Sequence, residues 1–147
     1  MIYLAASAVF LLDRLAKFIV LNNMCYGQSL KVLPNIFHIT FVLNNGTAFG
    51  LFKNRNAYLV SVSFLVIVFL ILYIRKNMPK RALIQSALGL ILGGALGNLF
   101  DRIVLGNVVD FLDFRIWPVF NIADSAITVG GIILAIAILT QNLKLKA

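Results

Sequence analysis

The sequence predicts an all-α membrane protein. It has four transmembrane helices and a small extracytoplasmic β-element between the first and second spans, in one domain over residues 1–147. Three observations carry this. Of the residues, 61% are hydrophobic and 12% charged, with a mean hydropathy of +0.97; soluble domains carry about a quarter charged residues, so the expected solvent is lipid. The apolar residues gather in four segments of about the length that crosses a bilayer core, roughly 20 residues. Many basic residues lie in short stretches between or after these segments, the pattern that orients a membrane protein.

The first span covers about residues 2–21. Asp13, Arg14 and Lys17 interrupt it, and no basic segment precedes it, so it does not read as a cleaved signal peptide. For about 22–30, helix, strand and loop all remain open. From 36 to 43 the side chains alternate: Phe37, Ile39, Phe41 and Leu43 on one side, His38, Thr40 and Val42 on the other. That is strand periodicity, and Asn45-Gly46 supplies the turn signal after it. The second span, about 57–74, is nearly pure Val, Ile, Leu and Phe. The third, about 83–100, carries Gly89, Gly93, Gly94 and Gly97; small residues at such spacing let helix backbones approach closely in lipid. The fourth covers about 122–140.

The connector Arg75-Lys76-Asn77-Met78-Pro79-Lys80-Arg81 holds four basic residues and no acid, and Lys144 and Lys146 follow the last span. Both belong on the cytoplasmic side. Four spans then place both termini inside and direct residues 22–56 and 101–121 outward.

Composition also excludes. The net charge is +8, but a nucleic-acid binder needs its basic residues on one face of a folded domain, and here they follow the spans. Cys25 is the only cysteine and His38 the only histidine. No internal disulfide, CxxC zinc site or two-histidine metal site follows from such a set.

The acids concentrate the chemistry. All five are Asp: Asp13, Asp101, Asp110, Asp113 and Asp124. A charge at a helix centre costs about 2.5–3.5 kcal/mol on insertion scales, so acids in or beside apolar spans are functional candidates. Asp110 falls just beyond the outer end of the third span and Asp124 at the outer end of the fourth. The short connector lets their carboxylates meet. Two close carboxylates share a proton and titrate as a pair. One then activates a water while the protonated partner polarises a carbonyl.

Asp113 competes with Asp110. If 108–115 is extended, the two point to opposite faces. Asp113 and Arg115 then share a face and form a surface ion pair, and Asp110 is taken as the inward acid. Asn121 can cap the fourth helix and put Asp124 at its third position, where an acid favours the helix dipole; capping and catalysis are compatible. Asp13 and Lys17 share a helix face, either as an ion pair that lowers insertion cost or as an anchor for a polar group. Asp101-Arg102 reads as a local pair, with Arg102 also able to clamp a lipid phosphate or peptide carbonyl. Ser125 lacks a nearby partner in sequence, which disfavours serine chemistry.

These residues resemble the bacterial lipoprotein signal peptidases over nearly the whole chain. Five motifs occur in the family's order: Asp13-Arg14-Leu15-Ala16-Lys17; Asn44-Asn45-Gly46-Thr47-Ala48-Phe49; 93–102, from Gly93 to Arg102; Val109-Asp110-Phe111; and Phe120-Asn121-Ile122-Ala123-Asp124. Thr47 stands where many members have a small apolar residue, and the segment between the two catalytic motifs is shorter than in some. The resemblance implies a multi-pass enzyme of the bacterial cytoplasmic membrane, with its site near the outer face. It implies a prolipoprotein substrate whose lipobox cysteine already carries diacylglycerol, cut just before that cysteine. It implies no metal or organic cofactor, inhibition by globomycin-like cyclic peptides, and membrane lipids as neighbours. By motif match Asp110 and Asp124 are the catalytic pair. Asn44, Gly46, Asn98, Arg102 and Asn121 bind substrate or hold the pair, with Asp13 and Lys17 in support. A monomer is expected. The alternative class is a small proton-coupled transporter or channel, which would place its acids near the midplane and commonly show duplicated halves.

Overall fold

The computed structural model describes residues 1–46 and 56–144, with side chains to 140. The Thr47-Ala48-Phe49 end of the second motif and Lys146 lie outside the described residues. In chain order the elements are α1 (Ile2–Asn23), β1 (Ser29–Leu33), β2 (Phe37–Asn44), α2 (Asn56–Lys76), α3 (Ala82–Val104), β3 (Val108–Asp113) and α4 (Ile122–Lys144). The protein is mostly helical with one small three-stranded sheet.

Each helix coincides with a predicted apolar segment and extends it. The largest extension is in α3, which continues through Asp101 and Arg102 to Val104. Those two residues are therefore helical and do not sit in an outer loop. Among the described residues, three helices are long and apolar enough to cross a membrane: α2, α3 and residues 122–140 of α4. At about 1.5 Å per residue, α1 is also long enough, roughly 33 Å, but it carries Asp13, Arg14 and Lys17.

The lipid-like character of α2 explains its thin contact with the rest. Only Leu59, Ile67 and Ile74 are buried, a single stripe, while Phe64, Leu65, Phe69 and Leu72 on its other faces are exposed. A helix that is apolar all round is suited to a membrane. Helix α3 is the centre, packed against α1, α2 and α4. Its glycines make this possible. A Cβ on Gly93 would lie 2.9 Å from the Ala6 Cα of α1, and a Cβ on Gly94 would lie 2.9 Å from the Ile127 side chain and collide with the Ala123 carbonyl of α4. Adjacent glycines thus admit one neighbouring helix on each side. Leu88, Leu92 and Leu99 fill the core with Ile2, Ala6, Ile67 and Ile74.

Strand β2 appears where alternation predicts it, and it is central in the sheet order β1-β2-β3. The sheet is larger than the expected element between the first two spans, because β3 comes from between α3 and α4. Within 22–30, α1 ends at Asn23, a turn follows, and β1 begins at Ser29. Strand β1 is exposed at all five residues, so no burial pattern announced it. The register between β2 and β3 shifts between Ile39 and Val42. A bulge of this kind interrupts strict alternation and re-aims the side chains beyond it, so the predicted two-sided pattern of 36–43 does not run unbroken. Beyond the shift, Val42 pairs with Asp110 and Asn44 with Val108. Phe41, Val109 and Phe111 pack with Val20 of α1, seating the sheet on the end of the bundle where α1 finishes.

Candidate active site

The site grows from the first turn of α4. Asn121 is its cap: the Asn121 side-chain oxygen accepts the Asp124 backbone N–H at 2.9 Å, and Asp124 Oδ2 accepts the Asn121 N–H at 3.3 Å. This reciprocal arrangement is a capping box, which satisfies N–H groups a helix start would leave open. It also fixes the Asp124 carboxylate in space. The same Asn121 donates from Nδ2 to Asp110 Oδ1 at 2.7 Å, so one fully buried amide holds the Asp110 carboxylate and the Asp124 backbone N–H.

Strand β3 supplies Asp110, buried and held from a second side by Asn44 Nδ2, which donates to Oδ2 at 2.9 Å. The Gly46 N–H donates to Asn44 Oδ1 at 3.0 Å. A backbone N–H can only donate, so this bond obliges the Asn44 amide nitrogen to face Asp110. Asn98 of α3 donates to Asp124 Oδ1 at 2.7 Å, while its own oxygen accepts from Lys17 Nζ and Asn121 Nδ2, each at 3.1 Å.

Burial and the neighbouring Asp124 charge raise Asp110 to about 7, against the opposing pull of the Asn44 and Asn121 amides and of Lys17. Asp110 therefore holds a proton through much of the neutral range. Asp113 differs. Burial pushes its carboxyl up, but hydrogen bonds from Thr40 and Arg115 outweigh that and leave it below the ordinary carboxylate range. Its ion pair with Arg115, at 3.0 Å, joins the two residues the sequence paired, but Asp113 is buried under the Thr40 and Arg115 contacts and not at the surface as expected.

Asp110 and Asp124 line a cavity of about 700 Å³ with Asn44, Gly46, Asn98 and Arg102. Its other walls are largely apolar: Phe114, Ile116, Trp117, Val119, Ile127 and Val129. Such a chamber suits an apolar ligand with a polar centre to be attacked. The aromatic wall at 114–120 was not singled out in the sequence. Trp and Phe beside a span are the signal that pointed to it, since aromatic rings favour the membrane interface.

The remaining candidates, Asp13 and Lys17, lie behind the cavity in a buried ionic cluster. Lys17 Nζ is 2.8 Å from both Asp13 Oδ2 and Asp101 Oδ2, and all three residues are fully buried. Arg14 pairs with Asp101 and stacks over Phe100, 4.5 Å from its centroid. Asp101 therefore pairs with α1 and not with Arg102, which corrects the local pairing expected from adjacency. A helix aims successive side chains about 100° apart, so Asp101 turns inward and Arg102 faces the cavity. Within α1 the single acid, Asp13, pairs with Lys17, and Arg14 finds Asp101 instead of its neighbour. The charge balance of α1 contained the signal: one acid and two bases in one span require a further acid elsewhere.

The comparisons with known proteins converge. The family model for signal peptidase (SPase) II matches residues 5–140. The chain belongs to the signal peptidase II family. Among curated relatives of this signal peptidase II chain, the lipoprotein signal peptidase of Halothermothrix orenii is 42% identical over 97% of each chain. That of Moorella thermoacetica is 48% identical over 89% of this chain and 87% of its own. A bacterial membrane enzyme solved by the in meso method at 2.3 Å resolution superposes with a TM-score of 0.90 and 35% identity, covering 95% of this chain and 87% of that one. A second, solved at 1.9 Å, gives 0.84 at 36% identity over 92% and 90%. As a signal peptidase II, the protein is a transmembrane hydrolase that acts as a protease.

Proposed function

We propose that this signal peptidase II is an intramembrane aspartyl endopeptidase. It removes the signal peptide from diacylglyceryl-modified prolipoproteins, cutting just before the lipid-bearing cysteine. That the relatives are lipoprotein signal peptidases supports the substrate class. The observation that carries the mechanism is that Asp110 and Asp124 line one largely apolar cavity, while the buried Asn121 side chain holds the Asp110 carboxylate and the Asp124 backbone N–H.

In this mechanism Asp124 is the base and Asp110 the acid. Asp124, aligned by the α4 start and by Asn98, takes a proton from a water placed between the carboxyls. The water attacks the scissile carbonyl while protonated Asp110 polarises its oxygen. The pair then protonates the departing amine. Arg102 faces the same cavity and is suited to hold a peptide carbonyl or head-group oxygen. The apolar walls receive the acyl chains, and anchorage in two dimensions reduces the entropic cost of alignment.

The same reading takes α1 as a fourth span. Its ionic residues are not lipid-facing charges: Asp13 and Lys17 are fully buried, and Arg14 is paired with Asp101 beneath an aromatic ring. The basic 75–81 connector then places both termini in the cytoplasm and the site near the outer face of the bacterial inner membrane. One chain supplies both acids and the cavity, so a single-domain monomer suffices. The test is cleavage of a lipid-modified precursor peptide by the purified protein, with a globomycin-like cyclic peptide as inhibitor control. Asp110→Asn and Asp124→Asn should each abolish turnover in a folded, inserted protein. Near-normal turnover by either rules the pair out.

A further inference from the structure

We propose that Lys17 is a positioning residue that sets the spacing of Asp110 and Asp124, acting through three buried side chains; this rests on the aspartyl reading above. The geometry is a hub. Lys17 Nζ contacts Asp13, Asp101 and Asn98. Each of these holds one member of the pair or the residue immediately before it. Asp13 Oδ1 accepts the backbone N–H of Ala123, the residue before Asp124, at 3.0 Å. Asp101 Oδ2 accepts the backbone N–H of Val109, the residue before Asp110, at 3.2 Å. Asn98 bonds the Asp124 carboxylate directly.

The start of α4 and strand β3 are thus tied to one ammonium from opposite sides. Without it, nothing joins Asp13, Asp101 and Asn98 to one another, and the two backbones they hold are no longer tied to one point. Three oxygens surround the ammonium of Lys17: that of Asn98 accepts a hydrogen bond, and those of Asp13 and Asp101 form ion pairs. An ion pair that only lowered insertion cost would need Asp13 alone. The contact with Asp13 Oδ2 is a charge contact and not an aligned hydrogen bond, whereas the Asp13 bond to Ala123 is well formed. Sequence separations of 81 and 110 residues show that this network joins distant parts of the chain.

Spacing has a kinetic signature. The closer two carboxylates lie, the further apart their two apparent pKa values are driven, and the broader the bell-shaped pH–rate profile. The charged groups facing the pair are Lys17 on α1 and Arg102 on α3, with Asp13 and Asp101 behind.

Lys17→Met is the direct test, but it leaves an uncompensated acid in the core. The paired variant Asp13→Asn/Lys17→Met keeps the cluster neutral, retains an oxygen for the Ala123 N–H, and leaves Asp101 with Arg14. Full-length protein in lipid is assayed on a diacylglyceryl-modified precursor peptide from pH 4 to 9, with thermal melting as the folding control. The expected result is a folded paired variant whose kcat falls on the order of 10²-fold, as a displacement of about 1 Å produces. KM should move far less, and the two limbs of the profile should draw together. A folded variant with parental kcat overturns the inference, and so does a loss of kcat with both limbs in place. If Asp110→Asn or Asp124→Asn retains turnover, the aspartyl reading fails first. If both are inactive while the Lys17 variants keep the parental profile, only the hub fails.

Discussion

Asn121 has two roles that substitution can separate. It caps α4, and it bridges Asp110 to Asp124. Replacing it with Ala removes both. The cap is worth about 1 kcal/mol, and the orphaned partners around this fully buried side chain, among them Asp110 Oδ1 and the Val109 carbonyl, add about 1–3 kcal/mol. Asn121→Ala should therefore lower stability by about 2–4 kcal/mol. Asn121→Ser is the informative partner. Serine caps as well as asparagine, so about 1 kcal/mol should return. Its short hydroxyl cannot cap and reach Asp110 together, so catalysis should not return. Both variants should lose on the order of 10²-fold or more in kcat. Thermal melting in lipid reads the first quantity, and release of signal peptide from a diacylglyceryl-modified precursor reads the second. Asn121→Ser cleaving within a few-fold of the parent would refute the bridging role. Asn121→Ala melting with the parent would refute the cap.

The remaining expectations are simpler. Asp113→Asn should keep substantial activity, because Asp113 is committed to Thr40 and Arg115, while Asp110→Asn should be inactive in the same assay. Cleavage should fall as pH rises through about 7. Asp110 is raised to that value, its protonated form is the active acid, and each further pH unit removes about tenfold of it. The stability sign is the same: a carboxyl raised above its unfolded value contributes fully below about pH 4 and loses that contribution as pH climbs through 7, so melting temperature should decline over that window. Gly93→Ala should destabilise by about 1–3 kcal/mol, since the new methyl meets α1 backbone that cannot rotate away. Unchanged melting would show that α1 and α3 can separate without penalty.

Much of the architecture was legible because its causes are local. Apolar runs mark all four helices, alternation marks β2, and Asn121 three residues before Asp124 marks a helix start. The choice of Asp110 as the inward acid also rested on a local rule, the opposite facing of residues three apart in a strand; Asp110 and Asp124 line one cavity, while Asp113, also buried, bonds Thr40 and Arg115. By contrast, β1 is short and wholly exposed, so it carried no pattern to read. The bulge in β2 depends on its neighbour β3 and not on its own residues.

What the sequence alone determined is therefore the class of solvent, the helices, and a short set of candidate acids, since composition and periodicity act within one segment. What the tertiary structure decided is who meets whom. Asp101 joins Arg14 and Lys17 in place of its neighbour Arg102, β3 completes a sheet begun between α1 and α2, and one lysine ties both backbones to their place. The physical reason is that a buried charge in an apolar bundle must find its counter-charge wherever packing brings one within reach, at whatever distance along the chain.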